Sequence, residues 1–164
     1  FWFIMGYTSK LAGTETGITE PQATFSRFFG APFMPRNPSD YSDLLGKKME
    51  EFNVPVYLVN TGWSGGAYGV GSRMDITKTR AMVSASLDGA LDSVDFETDP
   101  IFKVLIPKSC PDVPTEILNP VNTWADKAAF KSNAEKLATK FKKHFDKNFA
   151  GKVSDAIAAA CPIA

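Results

Sequence analysis

A mixed α/β fold, with helices packed on strands, is predicted by three features of the 164-residue sequence. Residues 54–60 (VPVYLVN) are rich in β-branched and aromatic side chains, the composition of a strand. A glycine-rich connection over residues 61–72 leads from them into a segment that opens with helix-capping residues. Residues 126–149 then carry apolar side chains at the spacing of one helical face.

Residues 1–8 begin with the apolar run Phe1-Trp2-Phe3-Ile4-Met5, too short for periodicity to separate a helix end from a strand. Chain ends are ordinarily exposed and frayed, so a start this apolar is expected to lie inside the core of a longer polypeptide. Residues 9–24 hold Gly13, Gly17 and Pro21 among Thr and Glu, with little to bury, and are expected to form a long mobile loop. Residues 25–34 (FSRFFGAPFM) are apolar but interrupted by Gly30 and Pro32, which predicts an irregular buried segment. Asn37-Pro38-Ser39-Asp40 is a helix start, and Tyr41, Leu44, Leu45, Met49 and Phe52 then share a face. Beyond the glycine-rich loop, Asp75, Thr77 or Thr79 can cap a helix that runs to about Asp88 and stops at Gly89. Phe102, Val104 and Ile106 alternate with Ile101, Lys103 and Leu105, a second predicted strand ended by Pro107. Residues 109–122 read as a proline-rich linker. On the final helix Phe130, Ala134, Leu137, Phe141, Phe145 and Phe149 line one side. At ~1.5–3 kcal/mol for each large apolar side chain fully buried, that stripe docks the helix without any functional role.

Composition narrows the function classes. The chain has 18 basic and 18 acidic side chains, so no global field directs it to nucleic acid or to an anionic membrane. Its apolar runs are too short to span a bilayer. Cys110 and Cys161 are far apart and lack metal-ligand spacing, which favours reduced thiols in a cytoplasmic protein over the alternative of one disulfide. Thirteen Phe and three Trp suit a chain that carries part of a larger core.

The order strand, glycine-rich loop, helix occurs around many nucleotide sites. A phosphate-cradling P-loop needs G-x-x-x-x-G-K-[ST] so that backbone N–H groups wrap the phosphates while Lys adds charge. No Lys follows the glycines here, and Arg73 sits two residues past Gly71. Gly46-Lys47-Lys48 lies mid-helix without the upstream glycine. The loop can thus contact a ligand through its backbone or serve as a flexible connector; composition leaves both open. Glu15 and Glu20 are paired carboxylates with no third group to orient them, which favours a solvated loop. His144, the single histidine, borders the apolar stripe and reads as structural. From Asp126 to Asp155 eight lysines face four acids, but they flank an apolar face as solvated positions do, so no nucleic-acid partner is expected.

Several longer runs occur in a fixed order: GYTSKLAGTETGITEP at residues 6–21, Asn60-Thr61-Gly62-Trp63, RMDITKTR at residues 73–80, and Ile117-Leu118-Asn119-Pro120. Together they resemble the C-terminal part of ATP-dependent phosphoenolpyruvate carboxykinases. The resemblance implies that residues 1–164 are a single C-terminal portion of the nucleotide-binding lobe, roughly the last third of such an enzyme. The complete enzyme is implied to be a gluconeogenic lyase converting oxaloacetate and ATP to phosphoenolpyruvate, CO₂ and ADP with Mg²⁺ and Mn²⁺. In that family an arginine, the apolar residue beside it and a threonine six positions after the arginine contact the adenine. The matching residues are Arg73, Met74 and Thr79. The family's P-loop and its Lys, His and Asp metal ligands have no match in this sequence, so no catalytic or metal-binding residue is assigned. The segment holding Glu15 and Glu20 matches a lid that orders over bound substrates. The implied partners are the rest of the same polypeptide, ATP, and oxaloacetate bound by residues outside this chain, with no membrane and no nucleic acid. The chain alone is expected to be inactive. The alternative is a stand-alone, non-enzymatic module that holds a small ligand or nucleotide in the glycine-rich loop, residues 62–71.

Overall fold

The apolar run at the amino end yields both a helical turn and a strand. Helix α1 (Trp2–Met5) is closed by Gly6 in the left-handed region (φ 51°), and the chain continues into β1 (Tyr7–Lys10) and then β2 (Gln22–Phe25). Two 3-10 turns, Arg27–Phe29 and Ala31–Phe33, lead to α2 (Pro38–Phe52). Strands β3 (Trp63–Ser64) and β4 (Ser72–Arg73) precede α3 (Ile76–Leu87). Next come β5 (Phe96–Thr98), β6 (Leu105–Pro107), and the short helices α4 (Thr115–Leu118) and α5 (Pro120–Thr123). The long α6 (Lys127–Asn148) and the short α7 (Asp155–Ala159) complete the order. The computed structural model describes residues 1–10, 16–17, 19, 22–66 and 68–163. It divides into two compact units, one of Phe1–Pro55 with Leu137–Ala164, the other Val56–Lys136. Among the described residues the named strands form antiparallel two-stranded hairpins, β1–β2, β3–β4 and β5–β6. The predicted mixture of strands and helices is what is found, with short hairpins as its β component.

In the first unit, aromatic rings gather on one residue of α6. Phe141 meets Trp2 edge-on at 5.0 Å, Tyr7 at 5.1 Å and Phe25 edge-on at 5.5 Å between ring centroids. Ile4 and Met5 are fully buried beside them, as are Ala138, Phe145 and Phe149 to within a few per cent. The predicted stripe is buried at Ala134, Phe141, Phe145 and Phe149, whereas Phe130 and Leu137 are half-buried and Ala138 is fully buried in place of Leu137. Gly6 is dictated by packing as well as by φ. A Cβ there would lie 1.6 Å from the Ser26 carbonyl oxygen. With glycine present, Ser26 N–H donates to the Gly6 carbonyl at 2.9 Å and extends the pairing of Tyr7 with Phe25.

Three sequence expectations change in this unit. Residues 9–10 and 22–24 are strand rather than loop, because the Tyr7–Phe25 cross-strand pair nucleates a ladder that reaches Lys10 and Gln22. Glu15, Glu20, Gly13 and Pro21 lie outside the described residues. The segment at 25–34 is irregular as predicted but not buried: Phe29 and Phe33 are exposed, because the 3-10 turns around Gly30 and Pro32 aim them outward. Helix α2 forms where Asn37-Pro38 predicts it, yet none of its residues is buried, and Leu44 and Phe52 on its apolar face stay exposed.

In the second unit Ala85 of α3 packs with Leu91, Cys110 and Val113, and Tyr57, Met82, Ile117 and Leu118 close around them. Cys110 and Cys161 are not joined in a disulfide. The strand predicted at residues 54–60 is not a strand. The segment alternates as one, with Tyr57 and Val59 half-buried and Val56 and Leu58 exposed, but it enters no sheet. β-propensity specifies an extended, half-buried backbone, not the second edge that completes a ladder. The second predicted strand shrinks to Leu105–Pro107 because Asp99 folds the residues before it into a turn. Its Oδ1 accepts the N–H groups of Ile101 (2.9 Å) and Phe102 (2.5 Å), and Lys103 adopts φ 57°. The expected linker at 109–122 holds α4 and α5 instead, since Asn119 caps α5 by accepting Val121 N–H at 3.2 Å. The final helix starts where predicted, with Asp126 Oδ1 accepting from Ala128 and Ala129 N–H. No helix among the described residues is long and apolar enough to cross a membrane.

His144 is structural, as its sequence context predicts. Its ring lies stacked on Phe25 at 4.2 Å and 14°, with Phe149 on another side at 5.8 Å. Burial, and then the neighbouring Lys147 charge, holds its pKa below the ordinary 6.5. The folded state therefore prefers neutral imidazole, so this contribution to stability is complete above the unfolded pKa and is lost as pH falls below it. His144→Phe keeps the stack and removes the titration. Thermal unfolding between about pH 7.5 and pH 5 should show the parent chain losing Tm more steeply than the Phe variant.

Candidate functional site

The glycine-rich segment closes on itself. Trp63 pairs with Arg73 and Ser64 with Ser72, and Met74 N–H donates to the Gly62 carbonyl at 2.7 Å. Gly65 (φ 78°) and Gly69 (φ 84°) supply the left-handed turns. Gly66 and Gly71 supply close approach. A Cβ on Gly71 would lie 2.5 Å from the Ser64 carbonyl oxygen and 2.6 Å from that of Gly66, and a Cβ on Gly66 would lie 2.8 Å from the Gly71 nitrogen. Tyr68 covers Trp63 edge-on at 5.4 Å. These glycines serve backbone-to-backbone contact inside a hairpin. They do not form an open cradle, so the structure gives no support to the ligand-holding loop of residues 62–71.

The hairpin delivers Arg73 and Met74 to the start of α3. The Arg73 side chain is exposed, and its Nη2 donates to the Thr61 carbonyl at 3.4 Å. Met74 is half-buried. Of the three candidate caps, Asp75 is the one used: its Oδ1 accepts the Thr77 N–H at 2.6 Å and the Thr77 hydroxyl. Those bonds from Thr77 hold the Asp75 carboxyl below the usual carboxylate range, with the Lys78 charge adding to them. Thr79 stands one helical turn further. Both its N–H (3.0 Å) and its hydroxyl (3.2 Å) donate to the Asp75 carbonyl. The hydroxyl oxygen, with its proton committed there, retains acceptor capacity. Arg73, Met74 and Thr79 thus lie on one continuous junction between β4 and the first turn of α3.

His144 sits in the aromatic cluster of the first unit. Among the described residues no group of three or more His, Cys, Asp or Glu side chains is arranged to hold a metal ion. Thr16, Gly17 and Thr19 are the described residues between Glu15 and Glu20. Sequence reasoning missed Thr123, whose hydroxyl accepts Gly65 N–H at 3.1 Å. The available signal was Asn119-Pro120, an N-cap followed by proline at the first helical position, which announces a helix where a linker was predicted.

A hairpin held by glycine-to-glycine contact and feeding an Asp-capped helix is a built junction, and comparison with known proteins says whose. The profile of the phosphoenolpyruvate carboxykinase family matches residues 1–116. The chain belongs to the phosphoenolpyruvate carboxykinase family. It is similar to the phosphoenolpyruvate carboxykinase (ATP) 1 of Moorella thermoacetica, 58% identical over 147 residues, which are 90% of this chain and 28% of that protein. It is also similar to the phosphoenolpyruvate carboxykinase (ATP) of Flavobacterium johnsoniae, 53% identical over 163 residues, 99% of this chain and 30% of that protein. With the Geotalea uraniireducens protein of the same name it shares 56% identity over 158 residues, 96% of this chain and 30% of the relative. The chain therefore spans less than a third of the length of these relatives.

The glycine contact carries a test. Gly71→Ala should force the hairpin apart at a cost of about 1–3 kcal/mol. Hydrogen exchange at the Met74 amide, which is bonded to the Gly62 carbonyl, should then accelerate. Unchanged Met74 protection in the Ala variant would show that the close approach does not hold the ladder.

Proposed function

We propose that this chain is the C-terminal portion of the nucleotide-binding domain of an ATP-dependent phosphoenolpyruvate carboxykinase, with Arg73, Met74 and Thr79 contacting the adenine. The observation that carries the reading is the junction of hairpin and helix, which sets an exposed guanidinium, a thioether and a hydroxyl with acceptor capacity within seven residues of backbone. A guanidinium lies well against a purine face, a methionine adapts to the apolar ring, and the Thr79 oxygen accepts from the exocyclic amino group. The whole enzyme converts oxaloacetate and ATP to phosphoenolpyruvate, CO₂ and ADP as a cytoplasmic step of gluconeogenesis. Loss of CO₂ leaves an enolate, whose oxygen takes the γ-phosphoryl group as ADP departs. Such a transfer depends on positioning and charge neutralisation. This chain contributes to the positioning, since a held adenine fixes where the far end of ATP lies.

Mg²⁺ and Mn²⁺ would neutralise phosphate and enolate charge. The family's P-loop and metal ligands have no match in this sequence, so we assign the ions, the phosphate cradle and the oxaloacetate contacts to the remainder of the polypeptide. The segment holding Glu15 and Glu20 we assign to a lid over the bound substrates. Support comes from the β1–β2 ladder, which pairs Lys10 with Gln22 and so holds the two ends of that segment side by side.

In the full-length enzyme, Arg73→Ala should raise KM for ATP roughly five- to hundred-fold, the ~1–3 kcal/mol of one charged contact, and move KM for oxaloacetate far less. Thr79→Ala should act the same way more weakly, and Thr79→Ser should recover most of the loss. Unchanged ATP dependence in a folded Arg73→Ala enzyme would remove the adenine assignment. The chain of residues 1–164 assayed by itself should form no phosphoenolpyruvate, since its sequence carries no P-loop; turnover by the purified chain would overturn the division of labour.

A further inference from the structure

The β3–β4 hairpin is only two residue pairs long. Two-stranded ribbons of that size are marginal by themselves, so the orientation of Arg73 depends on what the hairpin is fastened to. We propose that Thr123, at the end of α5, is a positioning residue for nucleotide binding: it anchors the hairpin that presents Arg73. The proposal rests on the assignment of Arg73 to the base.

The anchor is a two-sided hydroxyl. Thr123 Oγ1 accepts the N–H of Gly65, the residue immediately after β3 and 58 positions away in sequence, at 3.1 Å. Its own proton goes to the Pro120 carbonyl at 2.8 Å, which turns the oxygen lone pair toward Gly65. The backbones also meet at this point, because a Cβ on Gly65 would lie 3.1 Å from the Thr123 carbonyl oxygen. Helix α5 is itself held at both ends. Asn119 caps Val121 N–H at 3.2 Å while its Nδ2 donates to Glu97 Oε1 on β5 at 2.6 Å. Lys127 Nζ donates to the carbonyls of Val121 (2.5 Å) and Asn122 (3.2 Å). Gly65 is therefore tied to a fixed turn, and the ladder carries that constraint from Ser64 and Trp63 across to Ser72 and Arg73. Thr123 itself contacts none of Arg73, Met74 or Thr79 among the described hydrogen bonds.

The experiment uses the full-length enzyme with Thr123→Val, Thr123→Ser, Arg73→Ala and the Arg73→Ala/Thr123→Val pair. Thr123→Val keeps the side-chain shape and removes the hydroxyl. It should raise KM for ATP about threefold to tenfold, the effect of one neutral hydrogen bond, with KM for oxaloacetate and kcat moving less than about twofold. Thr123→Ser should restore the parent KM. In the pair, Thr123→Val should add nothing to Arg73→Ala, because a hairpin without the guanidinium has nothing left to aim. Unchanged KM for ATP in Thr123→Val beside a raised one in Arg73→Ala would overturn the proposal and leave the base assignment standing. Additive effects in the pair, or equal rises in both KM values, would also overturn it by showing a general structural role. No effect of Arg73→Ala on KM for ATP would remove the base assignment and this proposal with it.

Discussion

In the first unit the ring of Phe141 serves as a common wall for three elements. Trp2 brings α1 to it, Tyr7 brings β1 and Phe25 brings β2, each within about the separation at which aromatic pairs attract beyond simple burial. The contacts are edge-on or tilted, so hydrogen-rich edges meet the negative faces of neighbouring rings. Burial in the same cluster pushes the Tyr7 phenol above its ordinary pKa, which fits a ring that has lost water on most of its surface. The left-handed turn at Gly6 joins α1 to β1 and sets the Gly6 carbonyl against the N–H of Ser26, the residue that follows β2.

The second unit solves a different problem with backbone instead of rings. Its junction carries an exposed charged side chain, and burying a guanidinium to hold it still would be unfavourable. The chain leaves Arg73 exposed and constrains what surrounds it: close glycine contacts beneath the ladder, a bond from Met74 N–H to Gly62, and an Asp cap that fixes the first turn of α3. Thr79 is held by the same carbonyl that receives its backbone N–H, so the helix defines the hydroxyl's place as well.

Legibility in the sequence followed the range of the interaction. Local signals were readable: Asn37-Pro38 opens α2, Gly89 ends the helix begun at Asp75, and the α6 stripe predicts Phe141, Phe145 and Phe149 as buried. Features that need a second segment were not. Residues 54–60 have the composition of a strand, but composition names no partner, and β1 and β2 were hidden in a polar stretch because their pairing starts from one aromatic at each end. The turn at Asp99 shows the converse, a short-range carboxylate bond overriding an alternation that reads as strand. Arg73, Met74 and Thr79 are proposed through resemblance and not through any pattern in the residues; the tie between Gly65 and Thr123 joins positions too distant for any local pattern to connect.

The ladder between Trp63–Ser64 and Ser72–Arg73 makes strand register a chemical variable. Side chains alternate faces along a strand, so the pairing of Trp63 with Arg73 decides which side Arg73 points to. Residues added to the turn around Tyr68 and Val70 lengthen the connection and leave that pairing, and the guanidinium, where they are. A slip of the ladder by one residue, in contrast, turns the whole strand over and offers Ser72 or Met74 to the face that Arg73 had occupied. Two residue pairs thus hold the orientation of a side chain that neither the turn nor the helix after it determines.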